Sequence, residues 1–197
     1  YRTGEKTTEP IGARRLGVEN MAAHGIQGRG VLVDLHAHFG QARKMVSRDD
    51  LLRVMDQDKV IVEKGDMLLL HTGFSQAILD MKREPDGEKL GSSYAVLDGR
   101  DDALLQWITD SGIASLIADN YGVEAVPSRP GGSAPHAGLP LHQHCLFKLG
   151  VNLGEMWYLT ELATWLRQHK RSRFLLTAPP LRLPGAVGSP ATPIATV

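Results

Sequence analysis

Apolar residues along the chain fall into short runs broken by glycine, proline or charged turns, and each run predicts an element. Leu16 to His24 is helical in pattern and stops at Gly25, which predicts a short helix over residues 16–24. An apolar strand is predicted over residues 30–35. Ser47 is a suitable N-cap for a helix over residues 48–57, with Leu51, Leu52, Val54 and Met55 as its apolar face. The string "EKGDMLLLHTGF" places a turn at Gly65–Asp66 and a buried strand through Leu70. Residues 75–100 are polar, bear glycine and read as an excursion loop. Asp101 opens a helix over residues 102–110 that Gly112 ends, and "IASLIADN" follows as a strand. A Pro/Gly loop covers residues 127–139. A helix near 141–148, a short strand near Val151 and a helix near 159–168 follow, then strands around Phe174–Ala178 and Pro193–Val197. Helices mixed with several buried strands predict a layered α/β or α+β domain.

Composition narrows the possibilities. A chain of 197 residues suits one domain or two small ones, with a sizeable core. Lys+Arg and Asp+Glu both number 22, so the formal net charge is zero and gives no sign of a nucleic-acid or anionic-membrane partner. No apolar run is long enough to span a bilayer. Cys145, the lone cysteine, excludes an internal disulfide framework and a Cys-x-x-Cys motif, and is expected to fill core space. No secretory signal is visible, so a reduced cytoplasmic setting is expected. The chain starts at Tyr1, and "YRTGEKTTEPIG" reads as a loop entered from something upstream. The expectation is a single domain over residues 1–197, truncated at its N-terminus.

One stretch invites a catalytic reading. In "VLVDLHAHFG", His36 and His38 stand at the tip of a strand, as the metal-gripping pair of a TIM-barrel hydrolase would. Such a barrel needs further ligands at later strand ends, and His71 and Asp119 are candidates. It also usually takes about 250 residues in strict strand–helix alternation, a pattern this chain lacks. The residues therefore favour a solvated or capping pair. A serine-hydrolase elbow is absent, because "GGSAP" and "VGSPA" lack the second glycine, and no glycine-rich phosphate loop is present.

Longer strings carry more. "LGVENMAAHGIQGRGVLVDL", "GDMLLLHTGF", "IADNYGVEAVP", "PLHQHCLFKLGVNLGEMWYLTELA" and "LTAPPLRLPGAVGSPATPIA" together resemble the putative cyclase family, which includes bacterial kynurenine formamidase and isatin hydrolase. The resemblance runs through nearly the whole chain. It implies the family's β/β/α swivelling-type α/β fold, a mixed sheet flanked by helices. It also implies zinc- or manganese-dependent hydrolysis of a small amide, either an N-formyl aryl amide such as N-formylkynurenine or a cyclic amide such as isatin. A homodimer or homotetramer is implied as well. In the family, the residues after "RGVLLDL" do not bind the catalytic metal, so the resemblance makes His36 and His38 a decoy. The family's main metal box, His-x-x-x-His-x-Asp, matches none of the eight histidines here, so the catalytic residues and most ligands are expected upstream of Tyr1.

What remains in the chain is a smaller set. His142, in "PLHQH", matches the family histidine that approaches the metal from the C-terminal half, and neutral imidazole suits zinc and manganese. His144, two residues on, faces another side of its helix. The resemblance places a glutamate ligand about a dozen residues after the histidine, which makes Glu155 the candidate, although Gly154 occupies that spacing in one register. A carboxylate at a helix N-terminus is the plainer reading of Glu155. Asp119, Asn120 and Glu124 follow a buried strand, where they would orient ligands from behind or cap the turn. Gly188 and Ser189, in a loop with Arg182 nearby, offer backbone N–H groups to a substrate carbonyl. Trp107, Trp157 and Trp165 read as packing residues. Two alternatives to the hydrolase stand: a non-catalytic or truncated homologue that keeps the scaffold, and the His-x-His barrel.

Overall fold

The structure, a computed structural model, describes residues 12, 13, 15–131 and 136–197. Most of the opening polar stretch and residues 132–135 of the Pro/Gly loop lie outside the described residues. In chain order the elements are α1 (Val18–His24), β1 (Gln27–Asp34), α2 (Leu35–Phe39), β2 (Lys44–Val46), α3 (Arg48–Gln57), β3 (Met67–His71), α4 (Phe74–Asp80), α5 (Gly87–Gly91) and β4 (Ala95–Leu97). They continue with α6 (Asp102–Ser111), β5 (Ser115–Ala118), α7 (Pro140–His142) leading into a π-helical segment (Gln143–Leu149), β6 (Asn152–Gly154), α8 (Thr160–Gln168), β7 (Arg173–Thr177) and β8 (Ile194–Thr196).

Six strands form a sheet in the order β6-β5-β3-β1-β7-β8, and β2 with β4 form a second, two-stranded one. This is the expected α/β architecture of a mixed sheet flanked by helices. It is open, with β6 and β8 at its ends, so the barrel alternative is overturned. The chain divides into two units, Tyr1–Gly28 with Leu176–Thr196, and Arg29–Leu175 with Val197. In the smaller unit, Glu19 Oε1 accepts the Gly185 N–H at 3.2 Å, and Ala186 O accepts the Val18 N–H at 2.8 Å.

The larger unit is built on parallel pairing of β1 with β3, β3 with β5 and β5 with β6. Every residue of β3 and β5 is buried, as expected for parallel strands covered on both faces. Val31, Val33, Leu68, Leu70, Leu116 and Ala118 share one core with Leu51, Val54 and Met55 of α3 and Leu104 and Ile108 of α6. Cys145 is fully buried in that core, and burial first, with nearby Glu124 adding to it, pushes its thiol up to about 12. The two helices start where their caps dictate. Ser47 and Asp50 form a reciprocal capping box at α3, and Asp101 accepts the Ala103 and Leu104 N–H groups at α6.

Residues 75–100 are a correction to the sequence reading. They hold α4, α5 and β4, and β4 pairs in parallel with β2 from Lys44↔Ala95 to Val46↔Leu97. A three-residue strand is too short to show alternation, so neither partner is visible in the pattern.

Apolar strands with polar ends place chemistry at one edge. Asp34, His71 and Asp119 terminate or directly follow β1, β3 and β5, and Glu155 follows β6. His71 Nδ1 donates to Asp34 Oδ1 at 2.8 Å, Arg167 donates to Asp34 Oδ2, and the Ala37 N–H donates to Oδ1 at 3.1 Å. Burial alone would raise the Asp34 carboxyl, but His71, Arg167 and the Ala37 N–H outweigh it and hold it at about 2. A folded value below the unfolded one contributes stability above the ordinary carboxylate range, lost as pH falls through the folded value. The advantage of the wild type over Asp34→Asn is therefore expected to shrink by about 2 kcal/mol between pH 5 and pH 2. Urea unfolding of both proteins at several pH values measures it; a constant difference would contradict the assignment.

Candidate functional site

The site begins at Glu124. β5 ends at Ala118, and the chain turns through Gly122 and Val123, both at positive φ (86° and 56°). A β-branched residue rarely adopts that region, and hydrogen bonds on either side hold Val123 in it. Leu97 N–H donates to Val123 O at 3.0 Å, and Ala125 N–H to Leu97 O at 2.9 Å. The turn points the Glu124 side chain into the protein, where it is fully buried.

There the carboxylate holds the start of α7. Oε2 accepts the Leu141 N–H at 3.1 Å, and Oε1 accepts the His142 N–H and the His142 ring Nδ1–H, both at 2.9 Å. Pro140 at the first helical position needs no donor partner. On the other side of the ring, Nε2 lies 3.0 Å from Glu155 Oε1. His142 is thus clasped between two carboxylates. Its hydrogen bond to Glu124, then that to Glu155, raises its pKa to about 9 against the opposing effect of burial. Glu155 is held below the usual glutamate range, first by His142, with burial opposing and the Gly122 backbone assisting.

The register of "NLGEM" follows from packing. Gly154 is the last residue of β6, and a Cβ there would stand 2.9 Å from Ile117 on β5. Glu155 is the first residue beyond the strand, and its side chain reaches His142. His144 turns away to Thr109 on α6, with Nε2 and Oγ1 2.9 Å apart.

Other candidates serve elsewhere. Asp119 is fully buried and accepts the Thr72 N–H at 2.7 Å, the Thr72 hydroxyl at 2.6 Å and the Gly73 N–H at 2.8 Å. It ties the end of β5 to the end of β3, and its side-chain bonds go to Thr72 and Gly73. Asn120 donates Nδ2–H to Ala95 O at 3.1 Å, while its Oδ1 is buried without a partner among the described residues. Gly188 and Ser189 belong to the smaller unit, where Ser189 Oγ accepts the Leu181 N–H at 3.0 Å and donates to Pro190 O at 2.7 Å. Trp107 packs against the main core, and the Trp165 ring stacks on His169.

His36 and His38 diverge. His36 Nδ1 bonds Gly40 O at 3.2 Å, and His38 Nε2 pairs with Asp58 at 2.9 Å. Among the described residues, no three His, Cys, Asp or Glu side chains are grouped to hold a metal ion. A shallow dimple too small for a water molecule borders Glu124, lined by Arg43, Phe74, Val96, Asn120 and Tyr121. Sequence reasoning missed the turn at Asp98–Arg100 beside this site; its signal, the Asp-Gly pair after "AVL", lay inside the supposed loop.

A model of the family described as putative cyclase matches residues 5–125. A crystal structure of a novel cyclase is 35% identical, covering 92% of this chain and 57% of its own, with a TM-score of 0.76. The chain belongs to the putative cyclase family. It spans just over half the length of that cyclase. Two more distant structures share the fold. One is a potential metal-dependent hydrolase with cyclase activity, 20% identical over 98% of this chain and 71% of its own, TM-score 0.58. The other is isatin hydrolase A from Labrenzia aggregata, 15% identical over 92% and 66%, TM-score 0.58. No curated protein matches the chain.

The divergence of His36 and His38 makes a simple prediction. Replacing both with alanine leaves Zn2+ affinity unchanged in a calorimetric titration, whatever its value. A weaker titration would restore the strand-tip pair as ligands.

Proposed function

We propose that this cyclase-family chain carries part of the active site of a metal-dependent amide hydrolase, with His142 and Glu155 as two of the metal's ligands. The convergence of His142 Nε2 and Glu155 Oε1 to 3.0 Å carries the reading. The donor set suits a borderline divalent cation such as zinc or manganese, being one imidazole nitrogen and one carboxylate. Glu124 occupies Nδ1, so Nε2 is the nitrogen left for the metal, the pattern in which a carboxylate behind a histidine fixes its tautomer. When bound, the cation would supply Lewis acidity toward an amide carbonyl.

The protein's own groups do the rest of what this part of the site can do. Glu124 orients the imidazole. His142 holds one ring proton toward Glu124 and one toward Glu155, and the Nε2 proton would have to leave for Nε2 to hold a cation. Near Glu124 the Tyr121 ring is exposed and lies 5.7 Å from the Phe74 ring. The substrate class is an N-formyl aryl amide or a cyclic amide. The isatin hydrolases among the structures of like fold and the potential metal-dependent hydrolase support this reading.

A second reading has its own observation. A catalytic zinc normally takes three protein ligands, and the described residues bring together two. By itself, the chain would then be a scaffold without catalysis. Metal-stimulated turnover by residues 1–197 would end the scaffold reading; no turnover fits both readings, which the variants below then separate.

In the complete protein, His142→Ala and Glu155→Ala are each expected to lower hydrolysis of N-formylkynurenine or isatin by about 10- to 100-fold, with metal content falling in parallel. His144→Ala, facing Thr109, is nearly silent. If His144→Ala is the damaging change and His142→Ala is mild, the proposed site is wrong.

A further inference from the structure

We infer that Gly99 is a positioning residue for His142, acting through the space it leaves for the Glu124 carboxylate. The inference rests on the reading of His142 as a metal ligand. A Cβ built on Gly99 would overlap Glu124 Oε2 and stand 3.2 Å from the Leu141 backbone nitrogen. An exposed carboxylate would swing aside into water. Glu124 is fully buried and bonded to three N–H groups, so any movement breaks part of the clasp on α7 and on the His142 ring.

The turn that carries Gly99 cannot retreat instead. Asp98 N–H donates to Val46 O at 2.9 Å, and Asp98 accepts from Arg100 N–H at 3.0 Å and from Arg129 Nε at 2.7 Å. Arg100 reaches across the Pro/Gly loop, donating to Arg129 O at 2.6 Å, Ser128 Oγ at 3.0 Å and Ala137 O at 2.9 Å. Arg129 returns a bond to Arg100 O at 2.8 Å. The turn is therefore bonded to Ser128, Arg129 and Ala137, and Ala137 stands just before α7. Gly99 is not among the glycines at positive φ, so its backbone admits alanine and the effect of a methyl group is steric. Length matters too. An aspartate at position 124 withdraws the carboxylate by one methylene from the place the methyl would take.

The test is a Zn2+ titration of residues 1–197 followed by NMR at the His142 ring nitrogens, which reads weak binding, with thermal unfolding in parallel. Gly99→Ala and Glu124→Gln are each expected to lower Zn2+ affinity by about 10- to 100-fold. Gly138→Ala is the control, because a Cβ there meets nothing within 4 Å; it binds as the wild type does. In the wild type, His142 keeps its proton on Nδ1 when zinc is bound. The deciding pair is Glu124→Asp against Glu124→Asp with Gly99→Ala, a coupling measurement. Equal affinities, within about threefold, are expected, because the shorter acid has vacated the contested space. A further loss in the double variant, or its failure to fold where Glu124→Asp folds, overturns the inference. So does wild-type affinity in Gly99→Ala while His142→Ala binds poorly. If His142→Ala itself binds zinc as the wild type does, the metal reading fails, whatever Gly99 does.

Discussion

The site depends on one buried carboxylate. Glu124 lies out of water, no lysine or arginine among the described residues is bonded to it, and it is held by three N–H groups from the first turn of α7 and the His142 ring. Removing such partners from a buried charge is costly, so the carboxylate and the helix start define each other's position. The short β2–β4 sheet then matters more than its size suggests. It fixes Leu97, whose backbone brackets the strained Val123 and so aims Glu124.

The parallel sheet decides where this chemistry can stand. Its central strands β3 and β5 are buried on both faces, leaving little room for charge along their length. Polar groups gather at the carboxyl ends, which is where open α/β sheets bind ligands. Yet the ends are not equivalent. At β1 and β3, Asp34 and His71 satisfy each other with Arg167. At β5, Asp119 is consumed by the Thr72–Gly73 turn. At β6, an edge strand, Glu155 keeps a partly exposed carboxylate facing an imidazole. The ends of β1, β3 and β5 are taken up in bracing, and the end of β6 keeps a carboxylate and an imidazole at the surface.

Much of the fold was legible in the pattern of residues. Ser47 and Asp101 announced α3 and α6 through local capping chemistry, and the apolar runs at Val31, Leu68 and Leu116 announced the central strands. Residues 75–100 were not legible. β4 acquires its meaning from β2, some fifty residues earlier, and no local periodicity records a three-residue pairing across that distance. The same gap hid Gly99, an ordinary turn glycine until Glu124 is placed against it. His36 and His38 illustrate the reverse. Their spacing at a strand tip imitates a metal pair, and α2 turns the two rings toward different partners.

By itself, then, the sequence determined the elements whose signals are local: caps, apolar strands, glycine stops and the strings that mark the cyclase family. It also offered His142 and Glu155 as candidates through the resemblance, while leaving open which of Gly154 and Glu155 faces the histidine. Tertiary structure decided that register, because Gly154 must lie against Ile117 for β6 to pair with β5, which carries Glu155 just past the strand end. It likewise decided that Asp119 braces while Glu124 orients. Both are acids after the same strand, five residues apart, with equal claims on paper. Only packing distinguishes a carboxylate spent on a neighbouring turn from one aimed through Val123 at the helix that bears His142, because burial and hydrogen-bond partners come from segments far away in the chain.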